Sequence, residues 1–143
     1  MTQMLAWPAE LERQEDGSVL VSFPDIPEAL TEGETEAEAL TQAGDCLIAA
    51  LGGYIGGRRA IPRPSSARGR DSIALPALVA AKVALYDAMH RQGVGNTALA
   101  ARLGVSEGAV RRLIDLDHRS HIGQVETALH ALGQRLTVVT QVA

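Results

Sequence analysis

Apolar and polar residues alternate along the first stretch of the chain and then recur every three or four positions, which predicts strands followed by helices. Leu5, Trp7, Ala9 and Leu11 share one face of a strand over residues 4–12, and Val19, Val21 and Phe23 share one face of a second over 18–23. Asp16-Gly17 between them predicts a hairpin, because glycine accepts the positive φ of tight turns. Pro8 brings no N–H to a ladder and marks an edge or an irregular point in its strand. A brief third strand is expected over 29–32, and then a helix opened by the capping-box spacing of Thr35 and Glu38. Leu40, Ala43, Leu47, Ala50, Leu51 and Tyr54 give that helix an apolar stripe down to Gly56-Gly57, so it should cover one sheet face. The alternative ends it at Gly52-Gly53, since an interior glycine costs about 1 kcal/mol against alanine. Ile61 is expected to open a short final strand.

Residues 62–70, PRPSSARGR, have the composition of a tether, with too little apolar side chain to build a core. A helix is predicted from Pro76 to about Arg91, with Leu78, Val79, Val83, Leu85, Tyr86 and Met89 on its apolar side and Gly93 and Gly95 ending it. In NTALAARLGVSEGAVRRLIDLD, residues 96–117, Leu99, Ala100 and Leu103 recur at helical spacing, Gly104 breaks the run and Ser106 caps a second helix. Val110, Leu113 and Ile114 give this second helix a stripe of its own. Ala100 lies where the two helices cross, and Gly104 where the chain must turn left-handed. Ile122, Val125, Leu129 and Leu132 predict a further helix ending at Gly133. Residues 135–142 alternate like a strand, whose open backbone groups need a partner. That partner is either the same strand of a second copy in a two-fold dimer or the N-terminal sheet.

The chain has 143 residues, 46% of them hydrophobic and 21% charged, an ordinary globular balance. Its net charge of −4 hides an asymmetry. Residues 1–64 hold 4 Arg against 11 Asp and Glu, or −7, whereas residues 65–143 hold 9 Lys and Arg against 6 acids, or +3. The halves therefore suit different partners. Cys46 is the only cysteine, which excludes an intrachain disulfide, reads as a small buried hydrophobe and fits a reducing cytoplasm. No secretory pattern opens the chain, and Lys82 and Asp87 interrupt the most apolar stretch, residues 75–89, so no membrane partner is expected.

Residues 96–133 resemble the phage-repressor type of helix-turn-helix, which implies that the second helix reads the major groove. The hairpin, the stretch FPDIPEALTEGET and the capped helix resemble the HicB-type antitoxin domain over residues 4–65, most specifically over 16–38. Glu28-Ala29 stands where members often carry glycine followed by a small residue or cysteine. The resemblance implies a partial RNase H-like ββ(β)αβ fold that masks HicA, a small mRNA-cleaving toxin, and a second half that represses its own operon. The expected class is thus α+β, with a toxin-binding domain over 1–62, a linker over 63–72 and a helix-turn-helix DNA-binding and dimerisation domain over 73–143 that ends in a strand.

For DNA, Glu107, Gly108, Arg111 and Arg112 face outward on the second helix, with Ser106 at its leading end. Guanidinium forks there can bond a guanine edge or a phosphate. Asn96 and Thr97 start the preceding helix near the phosphate backbone, and Arg119, Ser120 and His121 in the following loop grip the other strand. Two such helices in a dimer would lie about 34 Å apart, as palindromic operators require. For the toxin, Asp25, Glu28, Glu32 and Glu34 are the candidates, within an acidic run that includes Glu36 and Glu38 and could attract a cationic ribonuclease. No catalytic site is expected: of the possible nuclease carboxylates, Asp16 is explained by the turn, Asp25 by its proline-flanked loop and Asp45 by a helix surface. His90, His118, His121 and His130 lack the companions that close a metal site, so no metal or other cofactor is expected. The competing reading is a transcriptional regulator whose first half senses a ligand or another protein.

Overall fold

The computed structural model describes residues 4–142. The chain divides into two compact units, Met1–Leu75 and Pro76–Ala143. The first contains β1 (Ala6–Arg13), β2 (Val19–Ser22), β3 (Leu30–Gly33), α1 (Glu36–Gly56) and β4 (Asp71–Ala74). Its four-stranded sheet has the order β3-β2-β1-β4, with every neighbouring pair antiparallel. Together with the helices of the second unit, this makes the chain an α+β protein, and the order β-β-β-α-β agrees with the resemblance.

At the β1–β2 turn, Gly17 adopts φ 88° and donates its N–H to the Gln14 carbonyl at 3.0 Å, while Asp16 Oδ1 accepts from the Ser18 amide at 2.9 Å. A glycine in left-handed conformation closing such a loop is the expected solution for a short hairpin. The register sets Leu11 opposite Val21 and Val19 opposite Gly33, so Trp7, Ala9, Val19, Val21 and Gly33 fall on one face. That face is buried beneath α1.

The Thr35 hydroxyl caps α1 by accepting from the Glu38 amide at 3.1 Å, and the helix runs on through Gly52-Gly53 to Gly56. Its buried stripe is Ala39, Ala43, Leu47, Leu51 and Tyr54, so Ala39 replaces Leu40 at the sheet and Ala50 lies to one side. The close approach of Gly33 to the Ala39 backbone explains this, since a leucine on that line would hold strand and helix apart. Cys46 is half-buried, not enclosed, with its Sγ 3.6 Å from the Leu30 carbonyl.

The segment expected to be a tether is fastened to this unit. The buried Trp7 indole donates to the Pro62 carbonyl at 3.0 Å, and Asp25 accepts from both the amide and the hydroxyl of Ser65, at 2.9 and 3.0 Å. Arg70 reaches Glu10 at 3.1 Å. The closing strand is then β4, paired with β1, whereas Ile61 is buried in irregular backbone. This boundary moves Arg68, Arg70 and Asp71 into the first unit, so the two units carry −6 and +2.

The second unit contains α2 (Ala77–Gln92), α3 (Asn96–Leu103), α4 (Glu107–Ile114) and α5 (Ile122–Ala131). Helix α2 buries Ala81, Val83, Leu85, Tyr86, Ala88 and Met89 against α4 and α5, and ends at Gly93 with φ 67°. Leu99, Ala100, Val110, Leu113, Val125, Ala128 and Leu129 complete the core, and Gly104 turns α3 into α4 at φ 68°. Ile122 is 41% exposed, against expectation, because α5 buries its stripe only from Val125 onward. Residues 135–142 form no strand among the described residues, and Val138 and Val139 stand 70% and 62% exposed.

Candidate functional site

Two surfaces collect the candidate residues, one on each unit. On the first unit the sheet face turned away from α1 has Glu12, Leu20 and Glu32 in one row across three strands, and Glu10, Ser22 and Leu30 in the next. Leu30 is 58% exposed and Glu32 stands open beside it, while Glu34 is exposed just beyond β3. Glu10 and Glu12 were not among the expected residues, although their places on the outer phase of β1 were readable from the alternation.

Asp25 and Glu28 have partners within the unit. Asp25 holds Ser65, as described above. Glu28 accepts from the Tyr54 hydroxyl at 2.7 Å and pairs with Arg59 at 3.4 Å, and the Arg59 guanidinium lies 4.0 Å above the Tyr54 ring. Both carboxylates thus fasten the turn between β2 and β3, one to the return segment and the other to the end of α1. The Tyr54 hydroxyl bond, helped by Arg59, holds the Glu28 carboxyl below its ordinary pKa, and the same bond raises that of Tyr54. A carboxylate with a lowered folded pKa adds stability above its unfolded pKa and loses it as pH falls through the folded value. Tyr54→Phe is therefore expected to move the Glu28 titration up toward the usual glutamate range and weaken the acid dependence of stability, read by carboxyl NMR and by melting against pH.

On the second unit, Ser106 caps α4 by accepting from the Ala109 amide at 3.1 Å, and Glu107 pairs with Arg111 at 2.7 Å. Arg111 and Arg112 project outward, and the half-buried Gly108 leaves a low point beside the Arg112 guanidinium. Asn96 is half-buried and Thr97 exposed at the start of α3. Arg119 and His121 are exposed in the loop before α5, but the Ser120 hydroxyl turns inward and accepts from the Lys82 ammonium at 2.9 Å. Lys82 is fully enclosed, although its charge had marked it as an interruption of an apolar run. Its place in the stripe Leu78, Lys82, Leu85, Met89 was the available signal. Among the described residues no three His, Cys, Asp or Glu side chains gather as a metal set, and no helix is long and apolar enough to cross a membrane.

The sequence pattern of the HicB-like antitoxins of bacterial toxin-antitoxin systems matches residues 6–84, which takes in the whole sheet, α1 and the beginning of α2. The chain belongs to the HicB-like antitoxin family. Its similarity to members continues through the second unit. It is 40% identical to Antitoxin HicB 2 of Photorhabdus laumondii over 97% of this chain and 99% of that one. Antitoxin HicB of Escherichia coli K12 is 39% identical over 94% of this chain and 99% of its own length. For Antitoxin HicB of Pseudomonas fluorescens the identity is 41% over 91% of this chain and 90% of the relative.

Proposed function

We propose that this chain is a cytoplasmic antitoxin whose first unit binds and neutralises a HicA-type mRNA-cleaving toxin and whose second unit represses its own operon. The observation that carries the reading is the likeness to HicB antitoxins along both units, not the first alone. The toxin meets the open sheet face. Glu12 and Glu32 flank Leu20 across the strands, Leu30 lies in the next row and Glu34 just beyond β3, which offers a cationic RNA-cleaving protein exposed apolar surface with acids beside it. Asp25 and Glu28 shape the adjoining turn.

In the second unit α3, the Gly104 turn and α4 act as a helix-turn-helix with α4 in the major groove. Support comes from the Ser106 cap, the outward Arg111 and Arg112 and the basic balance of the unit. Residues 135–142 of two copies pair with each other, which supplies their missing ladder partner and sets two α4 helices against one palindromic operator.

Co-expression with the small toxin from the adjacent gene tests the first role: growth should be rescued and the two proteins should co-purify, and failure of both would refute it. For the second role, Arg111→Ala or Arg112→Ala is expected to weaken operator binding by about 1–3 kcal/mol and relax base preference. Arg119→Ala should weaken all duplexes alike and reduce the salt slope by about 1. Titrations of the full chain with upstream and unrelated duplex at several salt concentrations read both; unchanged affinity in all three variants would remove this face from contention.

A further inference from the structure

Lys82 is a charged side chain with no exposed surface, and burying an ammonium is costly unless its hydrogens are all used. They are. Nζ donates to the carbonyls of Arg112 at 2.8 Å, Asp115 at 2.7 Å and His118 at 2.7 Å, with the Ser120 hydroxyl at 2.9 Å as a fourth acceptor. Arg112 lies in the last turn of α4, where carbonyls have no partner within the helix and a cation is favoured by the helix dipole. Asp115 is the C-cap, and His118 and Ser120 belong to the loop leading into α5. Ser120 adds a second tie by donating to the Arg112 carbonyl at 3.3 Å. Burial lowers the Lys82 pKa while the Asp115 charge opposes this, and several carbonyl acceptors around one nitrogen are satisfied only by the protonated form.

We infer that Lys82 is a positioning residue for DNA, whose side chain ties the end of α4 to the α4–α5 loop so that Arg112 and Arg119 meet one duplex as a single rigid surface. The inference rests on the DNA-binding reading above. It adds a residue that touches no DNA and sits on neither candidate surface. Without Lys82, α4 keeps its cap at Ser106 and its packing through Val110 and Leu113, but of the bonds described above only the long one from Ser120 to the Arg112 carbonyl, at 3.3 Å, is left to fix where Arg119 points.

The test is a double-mutant cycle in the full chain, with Lys82→Met and Arg119→Ala, read by binding to the upstream duplex at several salt concentrations. Lys82→Met should weaken binding about tenfold and reduce the salt slope by about 1, and adding Arg119→Ala to it should cost little more. Amide exchange over residues 115–121 should accelerate while α5 stays protected. If Lys82→Met fails to fold, Lys82→Gln, one atom shorter, uncharged and with two hydrogens for the four acceptors, loosens the tie while filling the site and carries the same cycle. Additive losses, or unchanged exchange in the loop, would overturn the inference and leave the DNA reading intact. A wild-type chain that binds no duplex would overturn both.

Discussion

Gly33→Ala is expected to pull β3 away from α1 and to cost about 3 kcal/mol, the upper part of the range for overpacking. A Cβ at position 33 would lie 2.4 Å from the Ala39 amide nitrogen, 2.7 Å from the Ala39 Cα and 2.9 Å from the Glu38 carbonyl carbon. All three are backbone atoms, so no side chain can swing aside. The first turn of α1 cannot yield either, because the Thr35 cap holds it two residues beyond the strand. Strain therefore passes to β3, which is paired only with β2 and forms one edge of the sheet. Urea unfolding should show a lower midpoint, and amide exchange should rise first at the pairing of β3 with Val19 and Val21. Because Glu32 and Leu30 ride on this strand, the proposed capture of a toxin should weaken with it. An unchanged midpoint would mean that the helix can retreat at no cost.

Trp7→Ala should be at least as damaging, at about 3–5 kcal/mol, a large share of the 5–15 kcal/mol that holds a typical domain together. The ring is wholly buried on the α1 face of the sheet, and its N–H holds the Pro62 carbonyl. Removing it opens a cavity and frees the segment that returns the chain to β4. Trp7→Phe separates the two effects: most of the apolar area remains, but the Pro62 carbonyl loses its donor, and the loss should fall to about 1–3 kcal/mol. Circular dichroism during urea unfolding is the measurement, with the transition of the first unit moving and that of the second staying in place. In the wild type, Trp7 is the only tryptophan, so its fluorescence follows the first unit alone. A Trp7→Phe variant as unstable as Trp7→Ala would show that the lost bond to Pro62, which both variants share, outweighs the cavity.

Among the candidate residues, those whose direction follows from the period of one element had that direction legible in advance. Arg111 and Arg112 face outward because Val110, Leu113 and Ile114 face inward, and the period of α4 decides both at once. Asp25 and Glu28 were legible as acids in a turn, but not as acids already engaged by Ser65, Tyr54 and Arg59, partners 26 to 40 residues away in the chain. Ser120 belongs with them: its loop position was readable and its inward hydroxyl was not.

Local order followed from the sequence alone. Hairpin, capped helix and glycine-broken helical pair, with the α+β class they compose, each depend on periodicity or a positive φ within a few neighbouring residues. Tertiary structure decided whatever depends on a remote partner. Strand β4 has almost no apolar signal of its own and exists because β1 offers it a ladder more than 60 residues upstream. The stripe of α1 turns toward Ala39 because Gly33 lets the backbones approach, and Lys82 is buried because four acceptors from α4 and its loop converge on one nitrogen. A periodicity reports which side of an element is apolar, but pairing and burial of polar groups are settled only when the partners that satisfy them are in place.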